Sequence, residues 1–164
     1  KTSSANGDNH MDNQPITLKV SVRDVLFGRN VKVIEPTNVY GCEIGDDSFV
    51  GPFVEIQKNV TIGQRTKIQS HTFICEFVTI GNDCFIGHGV MFANDLFKDG
   101  SPNADPNSWG RTIIEDNVTI GSNATILPVQ ICSGAVIGAG AVVTKDITVP
   151  GTYLGNPARL SRKF

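Results

Sequence analysis

From Ile44 onward a large apolar residue returns every six positions, at Ile44, Val50, Ile56, Ile62, Ile68, Ile74, Ile80, Ile86 and Phe92. Neither the 3.6-residue period of a helix nor the two-residue alternation of a single long strand produces that rhythm. Four residues after each of them stands a small or modest side chain: Ser48, Val54, Val60, Thr66, Thr72, Val78, Cys84, Val90 and Leu96. Two such columns can share one interior. Residues that tolerate positive φ recur three places after the large apolar position, as in Asp47, Asn59, Asp83, Gly89 and Asp95, so each hexad reads as a short strand followed by a tight corner. A six-residue unit cannot bury its apolar face alone; consecutive units must wind into coils stacked at strand spacing, ~4.8 Å apart. Three hexads per coil make a triangular prism of 18-residue turns.

The rhythm breaks after Phe92 and resumes at Ile114, Ile120 and Ile126, then slips by one residue within Leu127-Pro128-Val129 and continues through Ile131, Ile137, Val143 and Val149. Residues 97–113 carry two prolines, two glycines and the only tryptophan, and read as a loop. Eighteen-residue arithmetic puts positions 56, 74 and 92 in one column, so the loop leaves the prism just beyond it. A long insertion in a regular solenoid is more often functional than accidental. Because one prism has no deep pocket, the loop would form one by reaching over a neighbouring subunit.

Composition agrees with an all-β fold. Ile and Val, 16 and 17 residues, outnumber Leu, 6, more than fivefold, which suits pleated surface rather than helix. Lys+Arg (14) nearly balance Asp+Glu (16), without a basic block, which gives no footprint for nucleic acid. No segment approaches the ~20 apolar residues of a membrane span, and no N-terminal stretch joins a basic run to an apolar one, so the expected location is the cytoplasm. The four cysteines have no metal-ligand spacing and are expected as thiols. Residues 1–15 lack any apolar period and read as a disordered tail, with His10-Met11 resembling a cloning junction; residues 16–164 form one domain, in which residues 16–43 would cap the first coil.

The repeats resemble the hexapeptide-repeat, left-handed parallel β-helix acyltransferases over roughly residues 31–160. Within that family, residues 73–95 (FICEFVTIGNDCFIGHGVMFAND) resemble the nucleotide-sugar N-acetyltransferases that modify an amino group on a dideoxyhexose, whereas residues 136–146 (VIGAGAVVTKD) and 155–159 (GNPAR) are shared with the wider acetyl-CoA-dependent group. The resemblance implies left-handed winding, a homotrimer with sites between subunits, acetyl-CoA as cosubstrate, and a nucleotide-linked acceptor such as a dTDP-3-amino-3,6-dideoxyhexose destined for surface glycans.

Glu76 and Asn94 lie 18 residues apart, so the coil places their Cα atoms ~4.8 Å apart on one edge. The resemblance puts both in the pocket around the reacting amine, with Cys75 and Asp95 as neighbours; attack on a thioester needs a neutral amine, so Glu76 is the candidate proton acceptor, directly or through water, and Asn94 the group that holds the amine in attack geometry. His88, between two glycines, stands on the preceding edge and is the alternative base, supplied across an interface; His71, one coil earlier, is a weaker candidate. Trp109 and Phe97 would stack on the nucleotide or anchor the loop. For acetyl-CoA the resemblance implies a groove along the C-terminal coils, with Gly121, Ser122, Gly138 and Ala139 giving backbone contacts and Thr144, Lys145 and Arg159 the phosphate contacts. Only His71 and His88 fall within the repeats, short of the three ligands a catalytic zinc takes, so no metal is expected. Other acceptors, a metal-dependent hydratase and a non-catalytic scaffold remain as alternatives. An ice-binding face would need a threonine ladder, which starts with Thr61 over Thr79 but would end at Phe97.

Overall fold

The structure is a computed structural model, which describes residues 15–164; the expectations for the tail and for His10-Met11 lie outside the described residues. Twenty-one short strands form three parallel sheets of seven, six and eight strands, wound into a solenoid of about seven coils. No α-helix occurs among the described residues, and the single 3-10 turn, Pro106–Ser108, lies in the loop. The first face runs from Val22–Arg23 to Val142–Val143, the second from Leu26–Phe27 to Gln130–Ile131, and the third from Lys32–Val33 to the closing antiparallel pair Gly151–Leu154 and Arg159–Lys163.

Register follows the hexad rhythm. Ile56 lies over Ile74, and Ile62 over Ile80, eighteen residues on. Phe92 then pairs with Ile126, across the loop, and Ile126 with Val143, seventeen on, which places the one-residue slip at Leu127-Pro128-Val129. Both apolar columns point inward: Phe92 and the isoleucines from Ile44 to Ile131, outward-facing Ile113 excepted, are the largest fully buried side chains, while Ser48, Thr66, Thr72 and Cys84 fill the narrower column. Deleting one such buried isoleucine side chain back to alanine costs about 2–5 kcal/mol, so the core by itself fixes the register.

Buried hydroxyls on that column keep their hydrogen bonds inside the wall. Ser48, Thr66 and Thr72 Oγ donate to the carbonyls of Gly63, Gly81 and Gly87, one coil up, at 2.8–2.9 Å.

Four expectations change. Residues 22–40 do not merely cap the first coil; they are a coil, with Val22 over Val39 and Phe27 over Ile44. At the other end Ile147, not Val149, turns inward beneath Ile131, because the last coil is shorter still, and Val149 is 43% exposed. The loop begins directly after Met91–Phe92 and ends before Thr112–Ile114, so Leu96 is outside the core at 46% exposure and Asp95 does not take the positive φ of a corner. Corner position, not residue type, decides that φ: Phe53, Arg65, His71 and Phe77 adopt it as Asp47 and Asn59 do. Finally, Thr79 is followed on its face by Ile113 rather than Phe97, so the threonine ladder ends there.

Candidate active site

Three edges separate the faces, and their side chains differ. We call the edge between the first and second faces the loop edge, that between the second and third the ladder edge, and that between the third and first the histidine edge.

On the loop edge, Glu76 and Asn94 stack as the spacing predicts, but not side chain to side chain. Asn94 Nδ2 donates to the backbone carbonyl of Glu76 at 3.3 Å. The Glu76 carboxylate, in a residue only 9% exposed, turns the other way: Oε2 accepts from Asn59 Nδ2 at 3.4 Å and Oε1 lies 3.8 Å from Lys58 Nζ. Its backbone N–H donates to Gln57 Oε1 at 3.2 Å. Burial, and then the carboxylates of Glu55 and Glu76, push the nearby Tyr40 phenol up. Gln57, Lys58, Asn59 and Tyr40 are thus members of this cluster that sequence reasoning passed over; subtracting one coil from position 76 would have found Lys58 and Asn59.

The loop rises from this edge and closes on itself. Gly110 N–H donates to Asn94 O at 2.7 Å, and a side chain at Gly110 would run into Pro128 of the next coil. Asp95 organises the turn, accepting from the N–H groups of Phe97 at 2.9 Å and Asn103 at 2.6 Å. Trp109 Nε1 donates to Asn103 O at 2.8 Å, so the indole anchors the loop, while Phe97 stays 56% exposed. Together they enclose a polar pocket of about 450 Å³ lined by Asn94, Asp95, Lys98, Asn103 and Ser108. Further down the same edge Thr144 and Lys145 are exposed, whereas Arg159 lies beside Leu154 in the closing hairpin of the third face; Lys145 and Arg159 line one pocket of about 320 Å³ together with Ile147 and Tyr153.

Cys75, expected beside the substrate, faces the core at 2% exposure, and burial pushes its thiol up to about 12. Such a thiol is neither a nucleophile nor a wall of the pocket. Cys84 is likewise buried, its pKa raised by burial.

The histidine edge carries the rest. His88 is exposed, with its Nδ1 2.9 Å from Ser70 Oγ, one coil earlier. His71, on the same edge, has its ring 5.0 Å from that of Phe53. Gly121 and Gly138 stack below His88, yet their N–H groups already donate to Ile137 O and Tyr153 O at 2.8 Å, and their missing side chains leave room for Ala139 and Leu154 of the following coils. Those glycines serve coil stacking; half-buried Ser122 and exposed Ala139 are the members of this group that face outward. Among the described residues no group of three His, Cys, Asp or Glu side chains is placed to hold a metal ion, and no helix is long and apolar enough to cross a membrane.

Apart from Arg159, which pairs with Leu154 in the closing hairpin of the third face, the candidates therefore stand on two edges. Glu76, Asn94, Asp95, Trp109, Thr144 and Lys145 belong to the loop edge, and His71, His88, Gly121, Ser122, Gly138 and Ala139 to the histidine edge. The first face lies between them. Residues 41–76 and 59–94 match the bacterial transferase hexapeptide (six repeats), and residues 111–145 match the hexapeptide repeat of succinyl-transferase. The chain belongs to the hexapeptide-repeat transferase family.

It is 42% identical over 105 residues to the bifunctional protein GlmU of Thermodesulfovibrio yellowstonii, a match covering 63% of this chain but only 21% of that protein, so the chain spans about a fifth of the length of this relative. A hexapeptide-repeat-containing acetyltransferase of Vibrio cholerae, VCA0836, solved with acetyl coenzyme A, is 28% identical with a TM-score of 0.64, over 75% of this chain and 70% of that one. AntD of Bacillus cereus, an N-acyltransferase solved with dTDP and coenzyme A, has a TM-score of 0.66 at 21% identity over 87% and 83% of the two chains, a likeness of fold.

Proposed function

We propose that the protein is an acetyl-CoA-dependent N-acetyltransferase acting on the amino group of a nucleotide-linked aminodeoxysugar, of the dTDP-3-amino-3,6-dideoxyhexose kind, for surface glycan synthesis in the cytoplasm. The observation that carries the proposal is the division of candidates between two edges. A single prism keeps the loop edge and the histidine edge apart by the width of a face. In a threefold assembly of left-handed prisms, the loop edge of one subunit meets the histidine edge of the next, and both divided sets are reunited at once. His88 then faces Asn94 and the loop pocket, while Ser122 and Ala139 face Thr144 and Lys145. The two ligands of the reaction would divide in the same way, the acceptor at the loop pocket and the coenzyme along the C-terminal coils; that VCA0836 was solved with acetyl coenzyme A and AntD with dTDP and coenzyme A supports the choice of ligands.

In the reaction the neutral amine attacks the thioester carbonyl, the C–N bond forms, the C–S bond breaks, and the proton leaving nitrogen ends on the coenzyme A thiolate. We assign its first acceptor to His88 Nε2, because the Glu76 carboxylate faces Asn59 and Lys58 instead of the loop. Asn94 orients the amine, a contribution of several kcal/mol when geometry is held. Glu76 braces the corner that carries Asn94. A corner N–H steadies the oxyanion.

A panel of aminosugar nucleotides assayed by thiol release, with calorimetric titration of coenzyme A, tests the reading. The expected result is turnover with a 3-amino-3,6-dideoxyhexosyl nucleotide that falls ~10²–10⁴-fold in His88→Asn with coenzyme A affinity retained. Preference for a UDP-4-amino sugar, a hydroxyl acceptor or an antibiotic would move the substrate; no coenzyme A binding would remove the proposal.

A further inference from the structure

Two histidines stand on the same edge in consecutive coils, and the chain treats them differently. His71 sits at a positive-φ corner with its ring against Phe53, 5.0 Å between centroids. The His88 imidazole stands in solvent between Gly87 and Gly89, held through one nitrogen: Ser70 Oγ lies 2.9 Å from Nδ1. Ser70 is half-buried and has no comparable duty to the backbone. Its carbonyl, not its hydroxyl, accepts from Gly89 N–H at 3.0 Å, and the His88 carbonyl accepts from Asn123 N–H at 2.8 Å, so the coil ladder survives without the serine side chain.

We infer that Ser70 is a positioning residue for His88: its Oγ accepts from Nδ1–H, fixing the tautomer and ring plane in which the Nε2 lone pair faces out from the histidine edge. The inference rests on the assignment of His88 as proton acceptor and names what orients it. An imidazole without a partner at Nδ1 turns about its χ2 bond and divides itself between two tautomers, only one of which presents a lone pair at Nε2. A hydroxyl suits both stages of the transfer. It accepts from Nδ1–H in the neutral ring, and it goes on accepting when Nε2 has taken the amine proton and both nitrogens carry hydrogen. The Ser70 proton meanwhile points to water, which its half-buried position allows. The orienting group is neutral, so it sets direction without adding a carboxylate to a pocket that must admit an anionic nucleotide.

The test combines spectroscopy with kinetics on the full chain. Imidazole ¹⁵N shifts, with the His88 signals assigned from their loss in His88→Asn, report which nitrogen carries the proton in the neutral ring. Expected are an Nδ1–H form in the wild type, a mixture in Ser70→Ala, and recovery of the single form in Ser70→Thr. In turnover, Ser70→Ala should lower kcat about three- to tenfold, the worth of one orienting hydrogen bond, leave KM for both substrates within about twofold, and be rescued by Ser70→Thr. A wild-type ring protonated on Nε2, or a tautomer indifferent to Ser70→Ala, overturns the inference while leaving the proposed function standing. A wild type that acetylates none of the acceptors removes the proposed function, yet the spectra still decide what Ser70 does to His88.

Discussion

The ladder edge and the loop edge are built from the same coils and the same corner conformation, but they dispose of their polar groups in opposite ways. On the ladder edge each side chain satisfies the corner of the neighbouring coil. Asp46 Oδ1 accepts from Arg29 N–H at 2.8 Å, Asn82 Oδ1 from Gln64 N–H at 2.8 Å, and Asp116 Oδ1 from Asn82 N–H at 2.7 Å. Arg65 grips both oxygens of Asp83 at 2.7 and 2.8 Å, and Glu115 takes Gln130 Nε2 and both donors of Ser133. On the loop edge the coil-to-coil contacts around Glu76 and Asn94 are longer, 3.2–3.8 Å, and a long segment is inserted where one coil would meet the next. Regular coils can satisfy themselves. The loop edge is held in shape by the loop's own hydrogen bonds, through Asp95 and Trp109.

The strongest way to break this contrast is to remove the loop. Excising residues 98–108 and joining the ends with two glycines leaves the Asn94–Gly110 closure and the core in place. Acceptor turnover should fall by at least ~10²-fold with coenzyme A affinity unchanged, since what is lost is orientation. Thiol release and calorimetry on one preparation read both, and survival of acceptor use would place the pocket elsewhere. Asn94→Ala should approach the same loss while moving the urea midpoint little, because the carboxamide donates only one bond, at 3.3 Å, to the coil below.

The opposite outcome belongs to the ladder edge. Asp116→Ala removes the acceptor for Asn82 N–H, so stability should drop by about 1 kcal/mol while kcat and KM stay within twofold. Urea unfolding and the transferase assay on that variant sharpen the contrast; a loss of turnover without a loss of stability would reverse it.

Much of this was legible in the sequence because burial repeats. A hexad column such as Ile62, Ile68, Ile74 specifies inside and outside at every turn, and simple arithmetic then stacks Glu76 beneath Asn94. The sequence is less informative where a contact depends on direction. Spacing locates the Cα of Glu76 but not the rotamer that turns its carboxylate toward Lys58 and Asn59. Cys75 adjoins a corner, and nothing in its neighbours reveals that its thiol points to the core. Gly121 and Gly138 resemble open space for a ligand because a glycine looks the same whether a coenzyme or the next coil lies against it. The first coil escaped notice since residues 16–43 place Val22, Phe27 and Val33 at uneven intervals, and only the pairing of each with the next coil shows their common role.

The smallest expected effect concerns acid. Asp46 is held below the ordinary carboxylate range by the Arg29 N–H and guanidinium, Asp83 by the Arg65 guanidinium, and Glu115 by Gln130 and then Ser133. Each is depressed in the folded chain, so the unfolded chain binds protons first as pH falls. The stability these groups supply is complete above the unfolded carboxylate values near ~4 and disappears as pH drops through their lower folded values. All three are solvent-facing, so the effect is modest and salt should weaken it. Urea midpoints between pH 7 and 3 should decline at the acid end, less steeply in 1 M NaCl and less steeply in Asp46→Asn/Asp83→Asn, which no longer titrates there. The same substitutions leave the loop edge untouched, so turnover at pH 7 should hold. An acid transition as steep in the double variant as in the wild type would shift the sensitivity away from the ladder edge.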